Sequence, residues 1–343
     1  MRCRRTLSIA LLLVALAAGV VAAGRALNDR AAARAAGPVR IVASSTILAD
    51  LARAVAGERG AVSALLPAGA DPHTYQPVPS DLAALSRADL VVVEGAGLDG
   101  WVVRAHAQAG ASSPIVAVGQ AEAGEPYAGE SHEHGAHGHE THARGTRGGG
   151  AREVGAGGNE AHDDPHFWFD PVLVKESVGA IARALAEADP AGAAAYRRNA
   201  EAYGRRLDEL DAWIRERVAA LPPERRKLVT NHATLHHFAA RYGFEVVGIV
   251  HPGSTPEAQG SARHAADLVQ RLRDAGIDVI FTENTLSPRL AAAIATEVGP
   301  HVQLVPLYTD SLSAAGGPAP TYLEFMRYNV DRIVGALSAP GAR

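Results

Sequence analysis

The feature that most constrains this chain is a series of short apolar segments, each followed by a stretch with helical spacing. Leu90-Val91-Val92-Val93 is the purest of them. Shorter or more mixed segments stand at 39–45, 62–66, 115–118, 228–230, 246–250, 279–281 and 302–305. A strand apolar on both sides suits a parallel sheet covered on both faces, because every parallel crossover lays a helix over the sheet. The intervening stretches read as those helices. Residues 47–56 place Ile47, Leu48, Leu51 and Val55 on one face, and Ser80 is a fitting N-cap for a helix over 80–87. Further helices are expected over 101–109, 172–187, 235–242, 262–275, 288–298 and 322–336. The expected fold class is α/β, with parallel sheets.

One stretch departs from the alternation. Residues 192–220 carry Tyr196, Tyr203, Leu207, Leu210, Trp213, Ile214 and Val218 on one side. As a single helix of roughly 29 residues it would reach about 43 Å. Such a helix between two α/β regions is a rigid strut rather than a loose linker. The 343 residues suit about two domains. The expected division is an N-terminal lobe at 39–190, a linking helix at 191–220 and a C-terminal lobe at 221–343, opening after Pro222-Pro223.

Two segments fall outside this pattern. Arg2, Arg4 and Arg5 precede an apolar run over 7–23, with small residues at 21–24, the layout of a secretory signal peptide over 1–24. An uncleaved membrane anchor is the alternative. Both place the body outside the cytoplasm, in a periplasmic or extracytoplasmic setting. Residues 119–162 are rich in Gly, His, Glu and Arg with almost no large apolar side chains, and are expected to form a disordered insertion.

Composition excludes several functions. With 33 Lys and Arg against 37 Asp and Glu, the net charge of −4 offers no basic stripe for a nucleic acid. The single cysteine, Cys3, precedes the apolar run. No disulfide, cysteine zinc site or thiol nucleophile is therefore available in the body, and Cys3 cannot carry a lipid after signal cleavage. Metal chemistry must use His, Asp and Glu, and the chain holds 15 His.

Several of these lie where strands are expected to end. His73 follows the 62–66 strand, His232 follows 228–230, and Asp310 follows the 302–307 stretch. Ligands of open parallel sheets bind beyond the carboxyl ends of the strands. His166 opens the aromatic segment after the insertion, with His162 as a competitor. His236 and His237 compete with His232 but fall within an expected helix. Asp170 is a candidate cap for the helix after Pro171, or a partner to a His ligand. Glu283-Asn284 ends the 279–281 strand at the same rim.

Four motifs, in this order, carry a resemblance. They are Asp71-Pro72-His73-Thr74-Tyr75; His166-x-Trp168-x-Asp170-Pro171; Asn231-His232 with His236-His237-Phe238 and Tyr242-Gly243; and Leu307-Tyr308-Thr309-Asp310-Ser311-Leu312. Together they resemble the metal-binding family of ABC-transporter solute-binding proteins, over about residues 39–335. The resemblance implies two α/β lobes joined by one long helix, with the metal in the cleft between them. It implies His73, His166, His232 and Asp310 as ligands, two from each lobe.

Three imidazoles and one carboxylate suit tetrahedral Zn2+, whereas Mn2+ favours harder oxygen donors. Family members similar to manganese binders often carry Glu at the third position, where this chain has His232. The implied function is capture of Zn2+ as cargo for a membrane ABC permease, by a monomer, with a zinc chaperone as a further candidate partner. Four protein ligands close the coordination shell, which favours carriage over catalysis. A secreted zinc hydrolase is the rival from another class, but no His-Glu-x-x-His is present. A manganese-binding or adhesin-type member is the rival within the family. The insertion holds His132, His134, His137, His139 and His142, similar to the His-rich loop of zinc members and suited to weak auxiliary metal binding. The chain departs from the family pattern at Ala233-Thr234-Leu235 and at Glu257-Ala258-Gln259.

Overall fold

The computed structural model describes residues 37–119, 164–251 and 262–338. The expected signal peptide, the His-rich stretch and residues 257–259 lie outside them.

The first sheet is built from β1 (Val39–Ala43), β2 (Gly60–Ala64), β3 (Leu90–Val93) and β4 (Ile115–Ala117). Its order is β2-β1-β3-β4 and every pairing is parallel. All four β3 residues are buried, as an apolar run inside a covered sheet requires. The crossovers are α1 (Thr46–Ala56), α2 (Pro79–Leu85) and α3 (Gly100–Gln108). α1 starts where Ser45 Oγ accepts the Leu48 N–H, and its apolar face, including Leu48, Leu51 and Val55, is fully buried.

The second sheet repeats the plan with β5 (Lys227–Thr230), β6 (Glu245–Ile249), β7 (Val279–Glu283) and β8 (Gln303–Leu307). Its order, β6-β5-β7-β8, is again all parallel. In both sheets the chain moves outward from its first strand and then crosses to the other side. The carboxyl ends of β1 and β3, and of β5 and β7, therefore flank a switch point where a ligand crevice forms.

Between the sheets run α4 (Pro171–Ala188) and α5 (Ala193–Ala219). The chain continues through α6 (His236–Tyr242), α7 (Ala262–Asp274), α8 (Arg289–Val298) and α9 (Tyr322–Ser338). Asp170 caps α4 by accepting the Val172 N–H, one of the roles its place before Pro171 suggests. The strut is α5, whose 27 residues reach about 40 Å. Of its expected apolar face, Tyr196, Tyr203, Leu207, Leu210, Ile214 and Val218 are buried. Trp213 is only partly covered, with the Arg327 guanidinium 4.7 Å from its ring centre. α5 packs on α1 and α4 on one side and α9 on the other. One apolar core therefore runs from Ile41 in β1 through Leu210 in the strut to Ile333 in α9. The lobes share this core.

A second link lies beside the cleft. Phe167, Trp168 and Phe169 form one turn of 3-10 helix and are each about 1% exposed. Trp168 Nε1–H donates to the Thr309 carbonyl at 2.8 Å, and Tyr322 O–H donates to the Trp168 carbonyl at 2.8 Å. Trp168→Phe leaves the Thr309 carbonyl without this donor, a loss on the order of 1–3 kcal/mol. Thermal unfolding of that variant is expected to show a Tm lowered by about 2–6 °C. An unchanged Tm means that this bond does not hold the lobes together.

Candidate metal centre

The site is built where strands end. His73 lies beyond β2 and His232 beyond β5, while Asp310 lies beyond β8. His166 immediately precedes the buried aromatic turn. The structure brings these four residues to one place. One potential ligand atom from each lies within 4.8 Å of all the others, and no other such group of three or more occurs among the described residues. His166 Nε2 is 3.7 Å from Asp310 Oδ1, and His232 Nε2 is 3.7 Å from Asp310 Oδ2. The rings of His166 and His232 are 5.1 Å apart, and His73 stands 5.7 Å from the first and 5.2 Å from the second. Ligand atoms around tetrahedral zinc are separated by about 3.3 Å, so the cluster needs only a small contraction to close on an ion.

His166 Nε2, His232 Nε2 and Asp310 Oδ1 are buried and have no hydrogen-bond partner. A buried polar atom without a partner costs about 1–3 kcal/mol. Three such atoms converging on one point form a cluster of donors that a cation could satisfy.

Carboxylates orient two of the rings from behind. Asp164 Oδ1 faces His166 Nδ1 at 2.6 Å, and Glu283 Oε2 faces His232 Nδ1 at 2.7 Å. With its Nδ1–H held by Asp164, His166 turns its Nε2 lone pair to the cleft. Glu283 Oε1 also accepts the His232 N–H at 2.9 Å, and Oε2 accepts Thr309 Oγ1–H at 3.0 Å. Asp310 Oδ2 accepts Thr285 Oγ1–H at 3.2 Å. Asn329 of α9 braces the same loop, accepting the Tyr308 N–H and donating to the Tyr308 carbonyl.

The electrostatics differ from group to group. Burial alone would lower His232, but the Glu283 hydrogen bond and the Asp310 charge raise it to about 9. His73 has an edge open to solvent, yet the protein packed around its remainder, then His232 and His166, push it down to about 4. Burial raises the Asp310 carboxyl against the pull of His232 and His166. Burial would also raise Asp164, but the hydrogen bonds and charge of His166, with the His237 charge, together outweigh it and hold that carboxyl below its usual range.

Sequence reasoning singled out Glu283 at this rim but not Asp164. A signal for Asp164 was present, because Asp-Pro-His occurs twice, at 71–73 and 164–166. In both copies the Asp Oδ1 accepts the His backbone N–H, at 2.9 Å and 3.0 Å. Asp170 does not serve His166; apart from capping α4, it pairs with Arg241 at 3.1 Å. His236 and His237 lie in the first turn of α6, outside the four-residue cluster. Ala233 lines the cleft together with Leu98, Leu286 and Leu290, around a cavity of about 700 Å³.

Glu283→Ala is expected to weaken metal binding about 10–100-fold, the usual cost of losing a carboxylate behind a ligating imidazole. A zinc titration of that variant checks this, and an unchanged Kd removes Glu283 from an orienting role.

Comparison with known proteins gives a consistent set. The family model described as Zinc-uptake complex component A, periplasmic, matches residues 41–336. The manganese-binding lipoprotein MntA of Halalkalibacterium halodurans is 31% identical over 322 residues, covering 93% of this chain and 95% of its own. The iron-binding protein YfeA of Yersinia pestis is 30% identical over 295 residues, covering 86% of this chain and 85% of its own. The solved structure of the periplasmic zinc-binding protein TroA from Treponema pallidum matches with a TM-score of 0.72 and 27% identity, covering 88% of this chain and 100% of that one.

Proposed function

We propose that this chain, which belongs to the family of periplasmic metal-binding components of ABC transporters, carries Zn2+ as its cargo. Proteins of this family are solute-binding proteins of metal transporters, not enzymes, and they work with membrane permease components outside the cytoplasm. Among the described residues no helix is long and apolar enough to cross a membrane.

The family leaves the metal open, since the similar proteins are named for manganese, iron and zinc. The observation that carries zinc is the donor set. Three imidazoles and one carboxylate converge, a borderline-soft and nitrogen-rich set that suits Zn2+ better than Mn2+. In this reading His73, His166, His232 and Asp310 are the ligands. The common core and the Trp168–Thr309 bond restrain lobe swinging, so the ion leaves for the permease by small movements of the cleft loops. His132, His134, His137, His139 and His142 act as a low-affinity collector that raises local zinc.

The test is a zinc-against-manganese competition titration on the chain with and without residues 129–160. One tight zinc site in both forms, weaker for manganese, is expected. Equal affinity for the two metals overturns the zinc reading. Loss of the tight site with 129–160 overturns the four-ligand assignment. Zinc loading under scarcity that does not depend on 129–160 overturns the collector.

A further inference from the structure

We propose that Asp164, with either His236 or His237, forms a second, weaker site for a divalent cation of the zinc type, sharing the Asp164 carboxylate with the shell behind His166. The proposal rests on reading the cleft as a metal site, and it adds a place where an ion can stand beside it.

The argument begins with the two oxygens of Asp164, whose side chain is 10% exposed. Oδ1 is fully engaged by His166, receiving the backbone N–H at 3.0 Å and facing Nδ1 at 2.6 Å. Oδ2 is buried and has no hydrogen-bond partner. Two imidazoles face it from the first turn of α6, with His236 Nδ1 at 3.9 Å and His237 Nε2 at 3.8 Å. Neither nitrogen is close enough for a hydrogen bond to Oδ2. Both gaps lie within the span that an ion bound at about 2.0–2.2 Å to each donor can bridge.

The surroundings fit such a use. Arg241, further along α6, pairs with Asp170 at 3.1 Å and Asp211 at 2.8 Å, which fixes the helix against the strut. His237 Nε2–H donates to the Asp164 carbonyl at 3.2 Å, so this ring sits against the segment and must release that bond before the nitrogen can take an ion. The His236 side chain is 45% exposed, giving an ion access from solvent and giving the ring room to turn inward. The three donors stand as pairs around Asp164 rather than as a closed cage. Waters therefore complete the shell, and affinity falls below that of the cleft.

Sharing one carboxylate couples the two sites. An ion on Oδ2 draws charge from Oδ1 and weakens its hold on His166 Nδ1–H. By linkage, a filled cleft weakens the second site to the same degree. The cleft therefore fills first, and the second site takes up its ion only at higher zinc, more weakly than it would beside an empty cleft.

The experiment uses the full chain and zinc alone as the probe. Crystals grown at saturating zinc are measured at the zinc absorption edge. The expected result is an anomalous peak about 2.0–2.2 Å from Asp164 Oδ2 and from a ring nitrogen of His236 or His237. No peak there at saturation overturns the proposal and leaves the gap to water. Equilibrium dialysis supplies the solution counterpart. H236A/H237A is expected to bind one weak ion fewer, with the cleft ion still present. His-rich residues at 132–142 contribute equally to both proteins, so equal stoichiometry also overturns the proposal. A peak at Asp164 with none in the cleft would instead sink the four-ligand reading and leave this site standing.

Discussion

His232→Ala is expected to lower zinc affinity by at least about 100-fold, because losing even a partner behind a ligand costs 10–100-fold. Thermal unfolding with and without zinc reads the change directly. At a zinc concentration about 1,000 times its Kd, the intact protein gains about 4 kcal/mol of stability. For a chain of this size that raises Tm by about 8 °C. The same concentration is then only about 10 times the variant's Kd, which leaves about 1.4 kcal/mol and a rise of about 3 °C. The variant should still fold. Glu283 retains the residue 232 backbone N–H on Oε1 and Thr309 Oγ1–H on Oε2, so its buried carboxylate does not lose every partner. A full zinc-induced rise in His232→Ala removes this residue from the ligand set.

The second large effect is with pH. Without metal, the Glu283 hydrogen bond and the Asp310 charge raise His232 to about 9 against the opposing effect of burial. Its ring is therefore protonated at neutral pH, and zinc must displace that proton to reach the nitrogen facing the cleft. Apparent zinc affinity should rise by up to about tenfold per pH unit between pH 6 and 9, then level off. His73, held at about 4, is already neutral throughout this range and adds no slope. Stability without metal runs the other way. A raised folded-state pKa stabilises fully below the unfolded value of about 6.5, and that contribution is lost as pH rises through about 9. Calorimetry in buffers of different ionisation enthalpy should count about one proton released per zinc at pH 7. No proton release would show that His232 is neutral before zinc arrives.

Much of the fold is legible along the chain, for local reasons. Leu90–Val93 is apolar on every residue, and it forms a strand buried on both faces. The apolar face of the long helix follows from its period, apart from Trp213, which packs at the edge of the core and is only partly buried, with the Arg327 guanidinium over its ring. Strand ends shift by a residue or two, as at 60–64 against an expected 62–66. There Leu65 and Leu66 continue hydrogen bonding to Ala43 and Ser44 after the strand as such has ended. The positions of His73, His232 and Asp310 after strands place them at the crevice side of their sheets. The family resemblance supplied the grouping of all four residues, which spacing alone did not.

What the sequence by itself determined is the order of strands and helices, the parallel character of the sheets, the strut, and which imidazoles stand at strand ends. These follow from side-chain period and from apolar runs, which act over a few residues. Only the tertiary structure decided which polar atoms meet. Glu283 reaches back 51 positions to His232, and the Thr309 carbonyl accepts from Trp168 across 141. Asp164 lies only two residues from His166, but its other oxygen faces two histidines more than seventy positions away. Such pairings are chosen when buried donors and acceptors must find partners in the packed interior, and no local pattern in the chain records that choice.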